Sequence, residues 1–229
     1  MAQTLATLRQ ESRDLIGDTN PLAYIFTIQQ IDSWINAAIR DLNNHFPRTT
    51  TDTISTTAGT HIYDLPVIFI SMLKVEYPTG DNPPSYLKYR SSRLLTFWDY
   101  AGYYDILYPQ DSTSTNPPQL IISESPGAAE TITYIAKIEH NQLTATGDET
   151  TILDRLTHLI PLFVRYKAWQ ELSSSEGMDP DPIKLLAATQ EVNSYRAERA
   201  YYKALEMAKK ALTTSEVVEW PMPGADRIY

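Results

Sequence analysis

The sequence predicts an α+β fold: a four-helix bundle with an inserted small antiparallel β domain and an extended C-terminal arm. Three observations predict it. Apolar residues recur at helical spacing before residue 48 and again after residue 152. Between those stretches the period changes to alternation, cut by turns containing Pro and Gly. A long run of helix formers then leads into an aromatic tail broken by Pro221 and Pro223. The predicted boundaries are 1–48 with 152–212 for the bundle, 49–151 for the β insertion and 213–229 for the arm.

The first predicted helix spans 4–16, with Leu5, Leu8, Leu15 and Ile16 on one stripe and Gly17 positioned to end it. A second opens with a capping box, Thr27 and Gln30, and carries Ile28, Ile31, Ile35, Ala38, Ile39, Leu42 and Phe46 on one face. Pro47 stops it. Strands are predicted at 49–57, 60–65, 72–77, 86–89, 103–108, 119–123 and 131–138. The first is Thr-rich and suits an edge. A short helical turn carrying Phe97 and Trp98 is expected within 92–100, and a long polar loop at 110–118. The third helix begins near Asp154, with a kink expected at Pro161, or a start there instead. The fourth is capped by Asp181, opens at Pro182 and runs over 183–212. A hinge is expected at Thr213, Thr214 and Ser215, since the tail beyond has no period that folds alone.

Of the 229 residues, 42% are apolar and none is Cys, so a core can form and thiolate chemistry is excluded. No run of 18 apolar residues occurs, so no membrane span is predicted. The N-terminal stretch lacks an apolar signal core, which points to a cytoplasmic origin. Net charge is −9 and no basic patch is visible along the chain, which argues against a free DNA-binding module. Residues 51–147 hold 10 acids against 5 bases, whereas 148–212 hold 10 against 9, so the acidic excess sits in the middle.

Motifs for catalysis are missing. The four histidines, His45, His61, His140 and His158, have no ligand spacing and read as surface or capping residues. Asp179 and Asp181 read as helix-start residues, and Asp148, Glu149 and Asp154 as loop and cap residues. A hydrolase using Asp148, Asp154 and a histidine is the enzyme reading left open. The absence of phosphate-binding glycine loops and nucleophile elbows leaves it without support, so the chain reads as not an enzyme, with no cofactor and no metal. Fifteen tyrosines cluster around 100–108 and 195–202. With Asp99 and Asp105 beside the first cluster, a protein interface is favoured over a base-stacking platform.

Several motifs occur together in a familiar order. The 31–38 stretch Ile-Asp-Ser-Trp-Ile-Asn-Ala-Ala precedes the 58–66 stretch Ala-Gly-Thr-His-Ile-Tyr-Asp-Leu-Pro, followed by Val75-Glu76-Tyr77. The first helix ends Leu15-Ile16-Gly17-Asp18. Each has its own physical reading: Gly59 permits a tight turn, Leu65-Pro66 ends a strand, and Asp32 and Asn36 share a helix face able to bond a neighbouring loop. Together they resemble the head-to-tail adaptor proteins of tailed bacteriophages. The resemblance implies a structural protein of the virion neck, made in the bacterial host cytoplasm. It implies a homo-oligomeric ring, usually of twelve, beneath the portal protein, with tail or nozzle proteins attached below. Packaged DNA would pass through without sequence-specific binding. It also implies terminal arms that hook portal subunits, and the one good arm is 213–229. Its candidate portal-binding residues are Val217, Val218, Trp220, Pro221, Ile228 and Tyr229. The chain departs from the common pattern at Pro161 and in the 110–118 loop. The alternative is a non-viral scaffolding or regulatory module that binds a partner through the same tail.

Overall fold

The computed structural model describes residues 3–22, 24–109, 116–175 and 184–216. It is a mixed α+β structure with four helices and two small sheets. The chain divides into two compact units, Met1–Asp41 with Asn141–Tyr229, and Leu42–His140.

In the first unit, α1 spans Leu5–Ile16 and starts where Thr4 Oγ1 accepts from Thr7 N, 3.2 Å away. Gly17 ends it at φ 84°, a left-handed cap in which Gly17 N donates to Arg13 O at 2.9 Å. The helix α2, Ile28–His45, opens with the reciprocal bonds the sequence announced. Gln30 N donates to Thr27 Oγ1 at 3.2 Å, and Thr27 N donates to Gln30 Oε1 at 2.9 Å. Ile31, Ile35, Ala38 and Ile39 are buried along its stripe, but Ile28, expected on that face, is half exposed. It sits in the first turn, before any neighbouring element covers the stripe.

Pro161 causes no kink. A separate 3-10 turn, Asp154–Leu156, precedes α3, which spans Leu159–Ser175. Proline is therefore its third residue, where the missing N–H would have had no partner within the helix. Leu159, Ile160, Phe163, Val164 and Ala168 are buried, more than one face of a helix, because α3 packs against both α1 and α4. The last helix, α4, spans Lys184–Glu216. The predicted hinge at Thr213, Thr214 and Ser215 is thus helical. Thr and Ser cost only a few tenths of a kcal/mol each in a helix, and no Gly or Pro intervenes before Pro221. The cap at Asp181 and Pro182 lies outside the described residues.

Asp41 on α2 accepts a short hydrogen bond from the Tyr201 hydroxyl of α4. Burial, and then the carboxylate, push the Tyr201 pKa up, so the hydroxyl keeps its proton as donor. Phe163 meets the Tyr201 ring edge-on, with centroids 5.2 Å apart. Tyr201→Phe is expected to cost about 1–3 kcal/mol, since Asp41 loses a donor in a confined site. An unchanged urea midpoint would show that the bond adds nothing.

The second unit holds the sheets. Strands β1 (Arg48–Ser55), β7 (Thr131–Ile138) and β3 (Phe69–Glu76) form one, in the order β1-β7-β3. Strands β2 (Ile62–Asp64), β6 (Gln119–Ile122), β5 (Tyr103–Leu107) and β4 (Lys88–Tyr89) form the other, in the order β2-β6-β5-β4. One apolar cluster joins both, with Val75, Ile132, Tyr134 and Ala136 from the first and Tyr63, Tyr104, Leu120 and Ile122 from the second. The strands, expected to be antiparallel, are not wholly so, because β4 runs parallel to β5. The thirteen residues 90–102 between them, with a 3-10 turn at Leu95–Phe97, are long enough for a crossover in the same direction.

The two edges of the first sheet differ. Along β1 the register with β7 is continuous over eight pairs. Along β3 it slips twice, and residues 85–87 cover the outer side, where Leu87 N donates to Val75 O and Tyr77 N donates to Ser85 O.

Candidate interaction surfaces

Some of the polar groups that could have served chemistry have structural partners, while Asp179 and Asp181 lie outside the described residues. Asp148 Oδ2 accepts from Thr144 N and Ala145 N, both at 2.7 Å, and these bonds hold its pKa below the usual carboxylate range. The Asp154 carbonyl accepts from the Thr157 hydroxyl at the 3-10 turn. His45 and His158 are exposed. His140, read as a surface or capping residue, is buried in the capping role. Its Nε2 lies 2.8 Å from Phe46 O and its backbone N donates to Asn43 Oδ1, so it satisfies groups at the end of α2. Asn36 makes the loop contact its helix position suggested, donating to Leu143 O and accepting from Leu143 N, both at 2.9 Å. Asp32 instead pairs with Arg9, at 2.5 and 2.7 Å. Among the described residues no three His, Cys, Asp or Glu side chains gather as a metal site.

The first tyrosine cluster lines concave surface in the second unit. A cavity of about 890 Å³ is bordered by Asp64, Tyr89, Arg93, Asp105, Tyr108 and Gln119, among others. A second, of about 390 Å³, shares Tyr89, Ile106 and Tyr108 with it and adds Met72 and Tyr104. Tyr89 and Tyr104 meet edge-on at 5.8 Å, and the Tyr108 hydroxyl donates to Ile70 O. Burial raises the pKa of Tyr104 and Tyr108, so both hydroxyls stay neutral donors at ordinary pH. Asp105 is already engaged by Ser92 N and Ile106 N, at 2.7 and 2.8 Å. Aromatic walls with few free charges suit a polypeptide segment better than a phosphate backbone. Of the polar loop expected at 110–118, residues 110–115 lie outside the described residues, while Asn116 and Pro117 border the larger cavity.

Two apolar displays escaped the sequence reading. The turn around 94–100 leaves Leu95 88% exposed while Phe97 is fully buried and anchors it. The loop from α1 to α2 leaves Leu22 95% exposed, with Ile25 and Ile28 also exposed. That loop is held by a buried ion pair, Arg13 Nη1 to Asp18 Oδ2 at 2.5 Å. Asp18 also accepts from Ile25 N and Phe26 N, while Arg13 donates to Phe26 O and stacks 3.7 Å from the Tyr24 ring centroid. Single exposed side chains in loops have no period to betray them. The Asp at the end of a capped helix was the one available signal.

The arm candidates Val217, Val218, Trp220, Pro221, Ile228 and Tyr229 lie outside the described residues. What decides the family is the sequence as a whole. A family model described as SU10 adaptor protein matches residues 3–225. The chain belongs to the SU10 adaptor protein family. No curated protein matches it. Membership of this phage head-to-tail adaptor family carries a structural role at the virion neck, in an oligomeric assembly with portal and tail components. No described helix is long and apolar enough to cross a membrane.

Proposed function

We propose that the chain forms a ring of twelve beneath the portal, encircles the DNA channel and provides the platform for tail or nozzle proteins. The observation that carries this is the family match over residues 3–225. The four helices are read as one bundle, with bundle segments 1–48 and 152–212 and the β insertion at 49–151. Bonds from Arg9 to Asp32 and from Tyr201 to Asp41, with the packing of α3 on α1 and α4, support that reading. The 213–229 arm is read as the portal hook, anchored by Trp220, Ile228 and Tyr229, since large rigid aromatics bring the most contact area per ordered side chain. With α4 helical through Glu216, thirteen residues remain for the hook. Fully extended they reach about 45 Å. Net charge of −9 suits a channel through which DNA slides, because each phosphate contact adds affinity and friction. A ring lumen lined mainly by Lys and Arg would sink that part of the reading.

Removing 217–229 is the test. The shortened protein is expected to keep its helical signal and melting temperature, and to lose portal binding when the mass of the mixture is measured. Unfolding on truncation would make the tail part of the core instead. Trp220→Ala is expected to weaken portal binding by about 2 kcal/mol or more, a hot-spot loss of roughly thirtyfold. A neutral result in a quantitative titration removes Trp220 as an anchor.

A further inference from the structure

The face of α4 opposite its buried stripe has a composition of its own. Ala197, Tyr201 and Leu205 are buried and define the inner side. At 3.6 residues per turn, Val192, Tyr195, Arg196, Arg199 and Lys203 point away from them. Tyr195 is 63% exposed and Val192 nearly half, with Tyr202 and Met207 exposed at the margins of this face. Arg196, Arg199 and Lys203 are exposed, and none has an ion-pair partner among the described residues. A cationic, aromatic surface therefore exists in a chain whose sequence displayed no basic patch. Winding brings the three cations together around one exposed acid, Glu206, while Glu198 falls to the side.

Charge tells what fits it. Within Lys184–Glu216 there are six Lys or Arg against four Asp or Glu, which leaves 13 against 24 in the rest of the chain. The apolar Val192 and Met207 on and beside the face suit a protein surface better than nucleic acid, as does the repulsion of DNA by a −9 chain. Helix α4 has 33 residues against 17 in its neighbour α3, about 50 Å against 25 Å, so α3 alone cannot cover its length. We infer that this outer face of α4 docks on the acidic surface of a second copy of the chain. Such a contact is heterologous, one patch meeting a different patch, and repetition of it closes a ring. It also offsets the mutual repulsion of strongly acidic subunits. This inference rests on the neck-ring reading and adds the surface by which neighbours join.

The test places a benzophenone photo-crosslinking amino acid at Tyr195 or, separately, at Tyr202 in the full chain, incorporated into virions. Expected are adducts between two copies, identified by mass spectrometry, with the captured peptide bearing Asp or Glu. The double substitution Arg199→Glu/Lys203→Glu, folded by circular dichroism, is expected to lower ring formation at least tenfold, and unchanged ring formation overturns the inference. A chain absent from virions overturns the neck reading and this inference with it. If the chain is in virions but both probes capture DNA, a different protein or nothing, this inference alone falls.

Discussion

Asp18→Ala is expected to destabilise the protein by about 3–5 kcal/mol, because it strands the Arg13 guanidinium, whose side chain is only 6% exposed. The carboxylate does more than balance charge. It also receives Ile25 N and Phe26 N, at 2.8 and 3.3 Å, so its loss leaves the loop backbone short of an acceptor. Arg13→Ala is expected to cost a similar amount by stranding Asp18. Replacing both at once, as Arg13→Met/Asp18→Leu, should cost less than either single change, since no unpaired buried charge remains. Urea unfolding of the four proteins checks this. A double variant as unstable as the sum of the singles would mean that the two side chains are not coupled and that no stranded-charge penalty operates.

Alkaline lability is the second large effect. Tyr63, Tyr77, Tyr104, Tyr108, Tyr134, Tyr166 and Tyr201 all have raised pKa values, each chiefly because burial disfavours the phenolate. An unfolded tyrosine ionises near pH 10. Above that pH the unfolded chain has shed protons that the native state still holds, so stability falls as pH rises and is fully present only below about pH 10. Tyr134, whose hydroxyl donates to Asp52 Oδ2 at 3.3 Å, is pushed up to about 12, so its share is lost between about pH 10 and 12. In Tyr134→Phe the decline of the urea midpoint over that window should be shallower than in the unaltered protein. An equal slope would show that this phenol does not govern the response.

The sequence made local structure legible where the signal is local. Thr27 and Gln30 announced the start of α2, Gly17 the end of α1, and alternation placed all seven strands within a few residues. What it withheld depends on neighbours. Pro161 looks disruptive until its position in the first turn is known. The direction of β4 is set by a crossover, not by its two residues. Thr213 to Ser215 read as a break, yet weak propensity does not stop a helix already propagating. The interaction surfaces were least legible. The basic face of α4 exists only after winding brings Arg196, Arg199 and Lys203 together, and Leu22 becomes conspicuous only once Arg13 and Asp18 have fixed its loop. The tyrosines were visible as a cluster, but the cavities they line required the pairing of β5 with β4 and β6.

Sheet edges decide what a crowded solution does to this protein. The open side of β1 can accept another strand, although Asp52 Oδ1 already engages Thr53 N at 2.8 Å. The far side of the same sheet is bulged and covered, and the edges of the second sheet are only three and two residues long. Endless stacking needs a donor edge and an acceptor edge on every molecule. With one usable edge among the described residues, strand pairing through this sheet would stop at two chains rather than extend into a stacked fibre.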